Sequence, residues 1–113
     1  MNELTAIDKT VIETLKGLMK DRFNYLIETF IDKTAIQIED LKVAVTNNNT
    51  DNIISITHAM KGSSGSVGAS SIHLLSKQFE DHARNGNVDD TDTWPDLLET
   101  EFNLYKNEIQ DFL

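Results

Sequence analysis

Apolar residues along this chain recur at helical spacing almost throughout, and alternating strand-like stretches are nearly absent. The first periodic segment, Ile7 to Met19, places Ile7, Val11, Leu15 and Leu18 on one side. Asp8 is its expected N-cap, because the carboxylate can accept the unpaired N–H groups of the first turn. Gly17 and the charged run Lys20-Asp21-Arg22 signal a break. The longest pattern follows: Phe23, Ile27, Phe30, Thr34, Ile38, Leu41 and Val45 step by four, three, four, four, three and four. That is one helical stripe held over about six turns, roughly 35 Å, with Glu28, Asp32, Lys33, Glu39 and Asp40 on the other side. Asn47-Asn48-Asn49 has the composition of a turn, after which Thr50 or Asp51 is expected to cap the next helix.

The third helix is expected from about Asp51 to Ser66, with Ile53, Ile56, Met60 and Val67 inward, closing at Gly68. A fourth restarts at Ser70 or Ser71, buries Ile72, Leu75 and Phe79, and stops at Asn85-Gly86. Residues 87–93, with three aspartates, read as a loop. Trp94-Pro95 opens the last helix, proline being tolerated in the first turn, and Leu98, Phe102, Tyr105, Ile109 and Phe112 form its inner face. The aromatic residues as a set are expected in the core. Four long helices with short connections predict an all-α antiparallel four-helix bundle, with an additional short N-terminal helix covering one end. Residues 1–113 are expected to form a single domain.

Composition narrows the function classes. Nineteen acidic residues against ten basic give a net charge of −9, and the basic ones are not gathered in sequence. Nucleic acid and anionic membrane surfaces are therefore unsuitable partners. No apolar run approaches the ~18 residues of a membrane span, and the first residues, M-N-E-L-T-A-I-D, lack the regions of a signal peptide. The absence of cysteine excludes disulfides and thiolate metal sites. The three histidines lack carboxylates at metal-ligand spacing, so no metal site is expected. A cytoplasmic location is the expectation.

Chemistry concentrates between Thr57 and Ala69, T-H-A-M-K-G-S-S-G-S-V-G-A. At 100° per residue His58 falls opposite the inner set of its helix and so faces solvent. Gly62 and Gly65 share that outward side, and glycine costs about 1 kcal/mol against alanine inside a helix. Two of them beside an exposed histidine suggest that something approaches the backbone there. Lys61, one turn from His58, can neutralise a phosphoryl group on the imidazole as a mobile point charge. On the fourth helix His73, Lys77, Glu80 and Arg84 form one polar stripe beside the apolar one. If the two helices pair antiparallel, Glu80 can accept a hydrogen bond from Nδ1 and leave Nε2 as the nucleophile, with Arg84 and Lys77 adding positive field.

The run H-A-M-K-G-S-S-G-S-V-G-A, continued through Leu75, Phe79-Glu80 and Arg84 to Gly86, resembles the signature of histidine-containing phosphotransfer (HPt) domains. Its elements recur at that family's spacing across about 30 residues, and the order of five helices fits the whole chain. The resemblance implies that His58 is the phosphorylated histidine and Lys61 the supporting lysine. It implies that Gly62 is the glycine where a receiver domain approaches, with Ser63 and Ser64 matching small residues of the same segment. Glu80 stands where the family has a polar residue orienting the histidine, and Arg84 where some members keep a basic one. Gly65, Gly62 and Ser63 are the expected partner-binding residues. The implied role is to carry phosphoryl groups between the aspartates of response-regulator receiver domains, with a hybrid sensor histidine kinase upstream. The chain is expected to be a monomeric carrier rather than an enzyme, without cofactor of its own, the receiver bringing Mg²⁺. That agrees with the absence of a Walker A or Gly-rich kinase loop. Met1 and the short length suggest a free-standing carrier, but a domain excised from a hybrid kinase would read the same way.

Two other readings carry less weight. An exposed histidine on a helix is, by itself, usually only a surface residue, and His73 and His82 are expected to be surface or rim residues. A module that docks on a receiver or kinase without accepting phosphate would have no need of both His58 and Lys61.

Overall fold

Asp8 starts the first helix as its composition suggests, its carboxylate accepting from Thr10 N and Val11 N at 3.1 and 3.3 Å. The computed structural model describes residues 6–86 and 91–113, so the expected loop over residues 87–93 lies partly outside it. Among the described residues five helices follow in order: α1 (Lys9–Met19), α2 (Phe23–Thr46), α3 (Thr50–Ser66), α4 (Ser70–Arg84) and α5 (Trp94–Ile109). Short 3₁₀ turns, Lys20–Arg22 and Gln110–Phe112, lie before α2 and after α5. No strand occurs among the described residues. The architecture is an antiparallel helical bundle with α1 laid over one end.

The stripe expected on α2 is buried from end to end, from Phe23 to Val45. On α5 Leu98, Phe102, Tyr105 and Ile109 are buried, and Tyr105 meets Phe30 of α2 edge-on at 5.3 Å between centroids. Tyr25 departs from the expectation of a wholly aromatic core. It is 73% exposed, because two positions after Phe23 lies on the far side of the helix.

Three local differences from the sequence pattern have physical causes. On α1 the buried face carries Ile12, with Leu15 and Met19 packed beside it, while Leu18, expected inward, is 71% exposed. The helix is rotated because its start is tied to the α3–α4 turn: Asp8 N–H donates to the Gly68 carbonyl at 2.8 Å, and Ile12 lies against Gly68. The cap of α3 is Asn49 rather than Thr50 or Asp51. Asn48, at φ +50°, turns the chain, and the Asn49 side chain accepts from Asn52 N at 3.2 Å. On α3 and α4 the inner stripes include small polar residues. Thr57 and Ser64 are buried on α3 and Ser76 on α4, whereas Ile56 and Leu75 are only half-buried. Thr57 Oγ1 donates to the Ile53 carbonyl at 2.7 Å, and Ser64 Oγ donates to that of Met60. The Thr57 and Ser64 hydroxyls are thus satisfied within their own helix, whereas Ser76 Oγ has no hydrogen-bond partner among the described residues.

These small residues let α3 and α4 share the most extensive contact in the molecule. The turn between them has the geometry expected of a glycine-ended helix. Gly68 has φ +74°, its N–H donates to Gly65 O at 3.5 Å, and Ala69 N–H donates to Ser64 O at 2.9 Å. The turn folds α4 back along α3 and brings residue 80 beside residue 58.

Candidate functional site

His58 projects from the outer side of α3 with its side chain 63% exposed. Its Nδ1 lies 3.0 Å from Oε2 of Glu80 on α4. Glu80 had the place of an outward polar residue in the sequence pattern, yet it is 3% exposed. The α3–α4 contact covers it. Arg84, one turn along α4, donates to the same oxygen from Nε at 2.8 Å and Nη2 at 2.7 Å. Lys61 Nζ stands 2.9 Å from the other oxygen, Oε1. At that distance the ammonium and the carboxylate oxygen form a charge-assisted pair.

Burial alone would push the Glu80 carboxyl pKa up, but the contacts from Lys61, Arg84 and His58 more than offset it and hold it at about 2. The group is therefore an anion at neutral pH and can only accept. The proton between it and the imidazole belongs to Nδ1, and in the neutral ring the lone pair belongs to Nε2. The site is thus one buried anion ringed by two cations and an oriented, mostly exposed imidazole.

The remaining candidates divide. At Gly62 an added Cβ would meet nothing within 4 Å, so the α3 backbone one turn beyond His58 is open to approach. Ser63 is half-buried and its hydroxyl turns back to the Met60 carbonyl at 3.4 Å. Gly65 is different from the expectation of an open approach. A Cβ there would sit 3.0 Å from Nδ1 of His73, so the space is filled by that imidazole. Lys77, expected to add field at His58, instead pairs with Asp81 at 3.3 Å on the exposed side of α4. His73, expected at the surface or rim, is half-buried, and its Nδ1 lies 2.8 Å from the Lys61 carbonyl oxygen, a contact the sequence did not suggest. The signal that could have found it was Gly65, eight positions earlier, whose missing side chain makes the room. Among the described residues no group of three or more His, Cys, Asp or Glu is placed to hold a metal ion. No described helix is long and apolar enough to cross a membrane.

A family model for the Hpt domain matches residues 26–110. No curated protein sequence matches the chain significantly. The fold is similar to the crystal structure of histidine-containing phosphotransfer protein B (HptB) from Pseudomonas aeruginosa PAO1. The TM-score is 0.87 and the identity 25%, over 96% of this chain and 98% of that one. The matched segment contains all of α3 and α4, and with them His58, Lys61, Glu80 and Arg84. The chain belongs to the Hpt domain family.

Proposed function

We propose that this chain is a histidine phosphotransfer protein of a two-component phosphorelay, with His58 as the phosphoryl carrier. The observation that supports it most is the exposed imidazole of His58, held at Nδ1 by a buried, ionised Glu80. The Nε2 lone pair attacks the phosphorus of a receiver's aspartyl phosphate in line with the carboxylate oxygen. The N–P bond forms as the P–O bond breaks, and the aspartate leaves as a carboxylate. With phosphorus on Nε2 and the proton kept on Nδ1, the ring carries a positive charge, and the Glu80 carboxylate beside it stabilises that charge. Lys61 can leave Oε1 for the incoming phosphoryl oxygens, while Arg84 keeps two contacts to Oε2 and holds Glu80 in place. The reverse sequence delivers the group to a second receiver.

Such transfer passes through a loose transition state and asks mainly for positioning and charge neutralisation. The chain brings the nucleophile, and Mg²⁺ is supplied by the receiver. Receiver domains and a hybrid sensor histidine kinase are the proposed partners of a monomeric, cytoplasmic carrier. Gly62, with Ser63 beside it, forms the proposed point of receiver approach. Incubation with a phosphorylated receiver should give an acid-labile, base-stable phosphoprotein, and His58→Gln should reduce the label to background. Label that persists in the variant overturns the assignment. A chain that binds the receiver but takes no label would instead be a docking module.

A further inference from the structure

His73 has no part in the transfer chemistry just described, yet it is held more closely than a surface residue needs. Its Nδ1 lies 2.8 Å from the Lys61 carbonyl oxygen. A carbonyl only accepts, so Nδ1 carries the proton whether the ring is neutral or charged. Lys61 lies inside α3, where helical geometry directs the Gly65 N–H to its carbonyl and Ser64 Oγ also lies 3.3 Å from it. The imidazole is thus an added tie from α4 to α3, beyond what the helix requires. Room for it comes from Gly65. A Cβ there would stand 3.0 Å from Nδ1 and 3.3 Å from Cε1 of the ring. Glycine inside a helix costs about 1 kcal/mol against alanine, and at this position the imidazole occupies what the side chain would have filled.

The tie acts at one residue of the site. Lys61 is gripped by α4 twice, at its backbone by His73 and at its ammonium by Glu80, 2.9 Å away. His73 and Glu80 are seven residues apart, so about two turns of α4 separate the grips. Rotation or sliding of α3 against α4 would move the lysine stem and carry its ammonium away from the imidazole. We propose that His73 is a positioning residue for phosphoryl transfer at His58. By donating from Nδ1 to the Lys61 carbonyl, in the space Gly65 leaves, it sets where the Lys61 ammonium stands when the phosphoryl group arrives. This rests on the carrier reading of His58 given above.

The test uses the full chain and phosphoramidate, a small phosphoryl donor that needs no receiver, and reads the rate of phosphohistidine formation at His58. Lys61→Ala should slow loading by roughly tenfold or more, as loss of one preorganised contact to transferring charge does. His73→Leu, which removes the donor, should slow it by about three- to tenfold through misplacement of the same ammonium. His73→Asn, whose Nδ2–H can take the place of Nδ1–H, should restore the rate to within about twofold of the unaltered chain. In a Lys61→Ala background His73→Leu should cause no further loss. Loading of His73→Leu at the original rate overturns the proposal, and so does a loss that persists without Lys61. Should His73→Leu fail to fold by circular dichroism, Gly65→Ala takes its place, a Lys61-dependent loss supporting the proposal and an unchanged rate overturning it. A chain that loads from phosphoramidate but from no phosphorylated receiver sinks the relay reading alone. No loading of the unaltered chain overturns both.

Discussion

Glu80 faces His58, Lys61 and Arg84 with almost no access to water. A buried carboxylate is costly unless it is paired, and here the partners are sufficient to bring its pKa from 4.5 to about 2. The unfolded chain therefore binds more protons than the folded one between those two values, and stability rises with pH across that window. The contribution is fully present above about pH 4.5 and is lost as pH falls toward 2. Glu80→Gln keeps the shape and an acceptor for Nδ1 but cannot titrate. Urea unfolding followed between pH 5 and pH 2.5 should show a shallower loss of stability in the variant, with the unaltered chain falling more steeply. Equal slopes would mean that the network contributes nothing to acid stability. The same variant should slow phosphoryl transfer at neutral pH, since the positive ring that forms on His58 loses its counter-charge.

The α3–α4 hairpin is the element on which this residue geometry depends. Its turn needs Gly68 for two reasons at once, a φ of +74° and the lack of room for a side chain. A Cβ there would lie 2.8 Å from Cγ1 of Ile12 and 3.2 Å from the Asp8 carbonyl. Gly68→Ala should cost more than the ~1 kcal/mol of an unfavourable backbone angle, about 2–3 kcal/mol in chemical denaturation, by pushing α1 off the turn. Gly62 is the opposite case, with φ in the helical range and open space around it. Gly62→Leu should leave the fold as stable or raise it by up to about 1 kcal/mol, since leucine is the better helix former. The bulk would then stand on the proposed approach to His58, and affinity for a receiver, measured by calorimetry, should fall at least tenfold, or ~1.4 kcal/mol. Retained affinity together with a destabilised fold would return Gly62 to a packing role.

Over the whole molecule, α2 and α5 supply the large apolar faces, and α3 and α4 supply small residues that bring their backbones close. Tyr105 lies where α5 meets α2. Its ring is fully buried against Phe30, and its hydroxyl has no hydrogen-bond partner among the described residues. A buried hydroxyl left unpaired costs about 1–3 kcal/mol. Tyr105→Phe should therefore leave stability unchanged or raise it by about 1 kcal/mol, whereas Tyr105→Ala should lose about 3–5 kcal/mol through the cavity. A marked loss in the phenylalanine variant would reveal a partner for the hydroxyl. The chain carries a net charge of −9, and against it Lys61 and Arg84 place two cations around Glu80 beside the exposed imidazole.

Local order was legible from the residues alone. Helical periodicity on α2 and α5, the Asp8 cap, the Gly68 turn and the stop at Asn85-Gly86 each depend on neighbours within a few positions, and each stands where the pattern puts it. The same local arithmetic turned His58 to solvent and put Lys61 one turn away. What sequence spacing could not supply was the rotation of one helix against another. Thr57, Ser64 and Ser76 count as polar in any pattern, yet they are buried, and so the true inner faces of α3 and α4 differ from the apolar stripes. That rotation buries Glu80, leaves Lys77 on the exposed side of α4, and seats His73 over Gly65 against the Lys61 carbonyl. Burial and cross-helix hydrogen bonds are decided by residues far apart in the chain, and only the packed hairpin brings them together.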